Sequence, residues 1–331
     1  MDGTSLPPRG DGRQPGHHRW VKGSAFREGA VPTIGSVLAD LLDDPGRLGE
    51  PVAGEVLDEA RALLEDAARA AVELGGWTPA DPLRLAKGPV TWLLRCPRRA
   101  LAPPDGPDAP GANLRELAIG NIVDAGAKLA TLSRQAVTIE RALGYLAATG
   151  DTSVGQHLDD LGADAAADLL ADAATRLDAL VATWPTIDGK WWPRVEEPAR
   201  VRLADGAVTF GGKLDVLLGG PPSGLPGLVV EVKSGRWHDA VRGDAHLYGL
   251  LVALRDGVAP AAVLSIAAGD GATQLEPLRA EVLRHAAERV AEALATAGHL
   301  AAGEAPEARP GSYCGHCPVR SSCTAAQQVA A

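Results

Sequence analysis

Four cysteines, and no more, are spread over 331 residues so that one stands far from the other three. Cys96 sits alone in Leu94-Arg95-Cys96-Pro97-Arg98-Arg99, and Cys314, Cys317 and Cys323 close the chain as a C-x2-C-x5-C run. Four thiolates suffice for one metal centre and none is left over. A chain that uses them together must bring the neighbourhood of residue 96 back to its last residues, so everything between becomes one closed unit. Structural zinc sites usually pair two C-x-x-C knuckles, which this layout does not. The alternative is four unrelated thiols.

The length allows a large core in one or two domains. A hydrophobic content of 46% and a charged content of 22% are ordinary for a globular chain. No apolar stretch reaches the length of a membrane span, and the N-terminus lacks the apolar core of a secretory signal. A cytoplasmic, reducing compartment is expected, where cysteines favour metal over disulfides. The net charge of −10 counts mildly against nucleic acid as a partner, although Arg95, Arg98 and Arg99 form a local basic cluster.

Residues 1–30 are rich in Gly, Pro, Arg and His and read as a disordered tail, with His17-His18 solvated. Residues 31–87 form an N-terminal helical region, in which Ser36 caps a helix through Leu41-Leu42. A short helix over Val90 to Arg95 delivers Cys96. Residues 113–149 and 156–183 read as two long Ala/Leu-rich helices. Near Ala199 the pattern changes to alternating strands with a turn at Asp205-Gly206, then a buried strand from Leu228 to Lys233. A helix over 239–255, a strand over 261–267 and a helix over 276–300 follow. Helices flanking a mixed sheet make an α/β chain with a large helical N-terminal portion.

Strand geometry gives Glu231-Val232-Lys233 its meaning. Side chains alternate, so Glu231 and Lys233 share one face and Val230 and Val232 the other. Asp215, between Leu214 and Val216 on the preceding strand, also points away from its apolar neighbours. A Gly/Pro loop joins the two strands, so the carboxylates can converge on a hard cation, which takes oxygen ligands. Lys233 stands beside them, able to position the attacking water and to stabilise charge on a phosphate. That combination suits phosphodiester hydrolysis. The bland reading is a surface hairpin with a Glu/Lys pair. No G-x-x-x-x-G-K-[ST] occurs, so the chain carries no ATP-driven motor of that type.

Gly212-Lys213-Leu214-Asp215 followed by Val229-Val230-Glu231-Val232-Lys233-Ser234-Gly235 resembles the core signature of the PD-(D/E)xK nuclease superfamily, RecB-like branch. The resemblance covers residues 88–326 and implies a restriction-endonuclease-like mixed sheet flanked by helices, with a helical insertion at 113–183 and a cysteine segment at 310–326. It implies Mg²⁺ or Mn²⁺ on Asp215, Glu231 and the Val232 carbonyl, with Lys233 catalytic. The family's Gln-x-x-x-Tyr matches Asp244 to Tyr248, so Tyr248 would line the DNA path and Asp244 replaces the Gln. Its Gly-x-x-x-His matches Gly120 to Asp124, where Asp124 replaces the His as a metal ligand. The cysteine layout is similar to that of the iron–sulfur members of the branch, among them AddB and the CRISPR adaptation nucleases. It implies a structural [4Fe–4S] cluster on Cys96, Cys314, Cys317 and Cys323, with His316 a neighbour.

The resemblance thus implies a metal-dependent DNA nuclease acting on single strands or ends in repair, recombination or defence. Two other readings stay open. One is an iron–sulfur DNA-binding or redox-sensing protein with a relic core, since Asp124 and Asp244 depart from the pattern. The other is a nuclease subunit active only with a separate helicase. Metal-dependent cleavage separates the first two.

Overall fold

A computed structural model describes residues 34–44, 51–103, 114–237 and 239–329. The expected tail with His17-His18 lies outside them, as do residues 104–113 and His238. Helix α1 (Ile34–Asp43) contains Ser36 in its interior, so that residue is not its cap. Helix α2 (Gly54–Gly75) buries Leu57, Ala60, Leu64, Ala68 and Ala71, spaced three or four residues apart on one face. It ends at Gly76, whose φ of 71° is the left-handed conformation that favours glycine at that position. Strand β1 (Leu83–Leu85) leads directly into α3 (Lys87–Arg95) and then α4 (Pro97–Ala100), with Cys96 between the two helices.

The two long helices expected over 113–149 and 156–183 are four. They are α5 (Leu114–Leu132), α6 (Ile139–Ala148), α7 (Ser153–Asp160) and α8 (Ala163–Thr183). Local side-chain hydrogen bonds explain the first break. The Ser133 hydroxyl accepts from the Gln135 N–H at 3.1 Å, and Thr138 Oγ1 caps α6 by accepting from the Arg141 N–H. Gly162 stands at the second break, before α8.

Three strands follow, β2 (Arg194–Leu203), β3 (Val208–Gly220) and β4 (Leu225–Lys233). Helix α9 (Asp239–Asp256) crosses to β5 (Ala262–Ala267), and β6 (Ala272–Pro277) precedes α10 (Ala280–Ala301) and the terminal α11 (Thr324–Val329). The sheet is mixed, as the α/β reading expects. β1 is parallel to β3, β2 and β4 are antiparallel to β3, β5 is parallel to β4, and β6 is antiparallel to β5. β2 pairs along β3 from residue 208 to 217, so β1 and β4 must share the other edge of β3. Between them residues 211–215 have no partner strand on that edge. β5 is buried throughout, as an inner strand should be.

One face of the sheet packs on α2, α9 and α10 through Phe210, Leu214, Leu217, Val229 and Val263. α2 and α10 approach so closely that a Cβ on Gly298 would lie 3.0 Å from Ala71 Cα. Full burial of a leucine such as Leu64 contributes about 1.5–3 kcal/mol. α5 contacts β2, β3 and β4 as well as α6, α7 and α8. That many neighbours explain why Ile119, Ile122, Val123, Ala125 and Ala127 are all buried. Among the described residues no helix is long and apolar enough to cross a membrane.

Candidate active site and cysteine centre

The fork where β4 leaves β3 gathers the charged residues. The β3–β4 pairing runs to Val216↔Val230. One step further Asp215 and Glu231 come opposite each other, and Asp215 Oδ2 accepts a hydrogen bond from the Val232 N–H at 2.8 Å. Glu231 is fully buried, and its Oε1 meets the ammonium groups of both Lys233 and Lys87. Its Oε2 is buried with no hydrogen-bond partner among the described residues. A carboxylate oxygen in that state is costly unless a cation or donor meets it.

Lys87 is a site residue that the motif does not contain. It opens α3, the helix that carries Cys96 at its far end, and its Nζ lies 4.6 Å from the centre of the Tyr248 ring. Burial pushes its pKa down, but the Glu231 carboxylate outweighs this and holds it above the ordinary lysine value. Burial also pushes Asp215 up, with the charges of Glu231 and Asp124 adding to it, to about 7. The Val232 N–H and Lys87 act against that rise. A buried carboxylate crowded by two others is the electrostatic setting a divalent cation relieves.

The remaining expected residues take different places. Asp124 on α5 is close enough to act on Asp215, and its carboxylate is paired with Lys128 at 2.5 Å. Gly120, one turn earlier, lets α5 approach the end of β4, where a Cβ would lie 3.1 Å from Ser234 Oγ. Arg176 on α8 pairs with Glu116 and donates to the Ser234 carbonyl at 3.2 Å, tying the helices to the strand that carries Lys233. Asp244 accepts from the Thr91 hydroxyl at 3.3 Å, and burial raises its pKa against the pull of Lys87 and Lys233. Tyr248 is 6% exposed. Its ring fills the space over Gly212, where a Cβ would come within 2.7 Å. Trp237 donates its backbone N–H to Asp270 at 3.0 Å.

The four cysteines line one small cavity of about 10 Å³, together with Arg98, Arg99 and Arg309. Cys96, Cys317 and Cys323 are buried, and Cys314 is partly so. Hydrogen bonds also tie the α3–α4 corner to the C-terminal segment around it. Arg309 donates to the Leu94 carbonyl at 2.6 Å, Tyr313 to the Arg95 carbonyl at 2.9 Å, and Arg98 to the Ser322 carbonyl at 2.9 Å. The Nε atoms of Arg98 and Arg99 are buried without a partner among the described residues. Four thiols beside two orphaned donors suit an anionic sulfur-ligated centre in number and kind. Among the described residues, no group of three or more His, Cys, Asp or Glu side chains is drawn close enough to hold a metal ion as it stands.

No curated protein matches this sequence. The crystal structure of SSO0001 is similar at 12% identity, over 80% of this chain and 94% of that one, with a TM-score of 0.32. The family model of the PD-(D/E)XK nuclease superfamily matches residues 84–324, from β1 through both charged centres to the last cysteine. This chain belongs to the PD-(D/E)XK nuclease superfamily.

Proposed function

We propose that this chain is a divalent-metal-dependent deoxyribonuclease that acts on single strands or ends in repair, recombination or defence. One observation carries the reading: a fully buried Glu231, one oxygen clamped by two lysines and the other orphaned, beside an Asp215 raised to about 7. Asp215 and Glu231 would hold Mg²⁺ or Mn²⁺, with the Val232 carbonyl and Asp124 as further oxygen donors. The cation supplies Lewis acidity at the phosphate and lowers the pKa of the attacking water. Lys233 stands within reach of Glu231 and supplies positive charge where the phosphate gains negative charge. Lys87 adds a second ammonium on the same oxygen. Hydrolysis forms the new P–O bond from water and breaks the P–O bond to the leaving sugar oxygen, which takes a proton.

The four thiols would hold a [4Fe–4S] cluster whose work is to pin α3 to the C-terminal segment. Arg98 and Arg99, whose buried Nε atoms have no partner among the described residues, would supply donors to its sulfur. The test is cleavage of end-labelled DNA by anaerobically purified protein with Mn²⁺ or with EDTA. The wild type should cut only with metal, and Asp215→Ala should lose at least a hundredfold in rate while keeping its iron. Undiminished cleavage by that variant would sink the assignment.

A further inference from the structure

We infer that the solvent face of β1, β2 and β3 is the track on which the nucleic acid backbone lies as it approaches the carboxylates. This rests on the nuclease reading and adds a surface that no residue of the catalytic fork occupies. β3 turns Val208, Phe210 and Leu214 into the core, so Thr209, Gly211 and Lys213 face outward. β2 buries Ala199, Val201 and Leu203 and turns Arg200 and Arg202 outward. The register then does what the sequence does not show. Arg202 and Arg84 flank Thr209 in one row across three strands, and Arg200 lies beside Gly211 in the next. A Cβ at residue 211 would come 3.0 Å from Arg200 Cγ, so the glycine leaves room for that side chain's stem.

With Arg69 of α2 these arginines line a polar cleft of about 670 Å³. Its acidic residues are Glu65 and Asp205, and Glu65 is engaged by the Ala204 N–H at 2.8 Å. Arg69 is paired with Asp66. Arg84, Arg200 and Arg202 are exposed and have no ion-pair or hydrogen-bond partner among the described residues. Three unpaired guanidinium groups in one cleft repel one another, and a chain of net charge −10 had acidic side chains to spare for them. Their separation over two rows and three strands suits a string of anions rather than one. The strip continues through Lys213, which is exposed and paired with Glu196 at 2.8 Å, two residues before Asp215. From Thr209 to Asp215 is six strand residues, about 20 Å, or roughly six steps of B-form rise.

The experiment is anisotropy of a labelled DNA of about 30 nucleotides, titrated at several salt concentrations in EDTA, where log K falls linearly with log salt. The triple variant Arg84→Gln, Arg200→Gln, Arg202→Gln should flatten the slope by about 2 for a single strand, the loss of three phosphate contacts. A charge-matched variant at three other exposed arginines (Arg134→Gln, Arg279→Gln, Arg284→Gln) should leave the slope near wild type. Lysine at the three cleft positions should restore it, which guards against misfolding of the glutamine variant. A triple variant indistinguishable from the charge-matched one, in a protein whose wild type binds and cuts DNA, overturns the track alone. Wild type that neither binds nor cuts nucleic acid overturns the nuclease reading with it.

Discussion

Glu231 is the residue on which the site turns, because it meets two ammonium groups with one oxygen and nothing with the other. The sequence allows half of this to be read. Alternation on a valine-rich strand puts Glu231 and Lys233 on one side, and the structure brings both together with Asp215 at the β3–β4 fork. Lys87 is invisible to the same reasoning. It lies 144 residues from Glu231, in a stretch whose periodicity begins only at Val90, and no spacing rule joins them. A cation already beside Glu231 opposes a second one by like-charge repulsion. Lys87→Met should therefore lower the half-saturating Mn²⁺ concentration while cutting the maximal rate by about tenfold, roughly 1.4 kcal/mol at the transition state. Steady-state rates across a metal titration check both, and weaker metal binding in the variant would contradict the competition.

Among the elements, the short and the half-exposed ones escaped sequence reading. β1 has three residues and β6 is partly exposed along its whole length, so neither shows a usable period. The breaks at Ser133–Thr138 and Gly162 were hidden by the alanine-rich runs on either side. β6 nonetheless holds a defined charge. Burial pushes Glu276 up, but hydrogen bonds from Arg242 and His246 of α9 outweigh it and hold its pKa down to about 2. A carboxylate depressed in the folded state stabilises above its unfolded pKa, and that stability is lost as the pH falls through the folded value. The window runs from about 4.5 down to about 2, and the fall from one to the other is worth roughly 3 kcal/mol. Urea unfolding at pH 7 and pH 3, the latter still above the folded value, should show about 2 kcal/mol of that loss in the wild type and a smaller one in Glu276→Gln. Equal losses would mean that the α9–β6 clamp contributes nothing.

At the scale of the whole molecule, net charge is a poor guide. The value of −10 counted against nucleic acid, yet Arg84, Arg200 and Arg202, more than a hundred residues apart in part, meet in one cleft through strand register alone. The cysteines show the opposite case. Their count and spacing pointed to one centre; all four line one cavity, while among the described residues no three are drawn close enough to hold a metal ion as they stand. If a cluster fills it, it closes a loop of over two hundred residues, and such a cross-link removes unfolded-state entropy worth about 5 kcal/mol. Cys317→Ser should then lose its iron and become open to proteolysis around α3 and the C-terminal segment. Retained iron, or unchanged protection, would argue against a structural centre.

The packing of α3 against α10 has a consequence for the order in which the chain is made. A nascent chain that has left the ribosome as far as β4 already holds Lys87, Asp215, Glu231 and Lys233. The helix that presents Lys87 packs mainly on α10, which follows β4 in the chain, so a chain made only as far as β4 lacks most of the surface that seats α3. Under the nuclease reading, the fork therefore gains its second lysine only after α10 has formed.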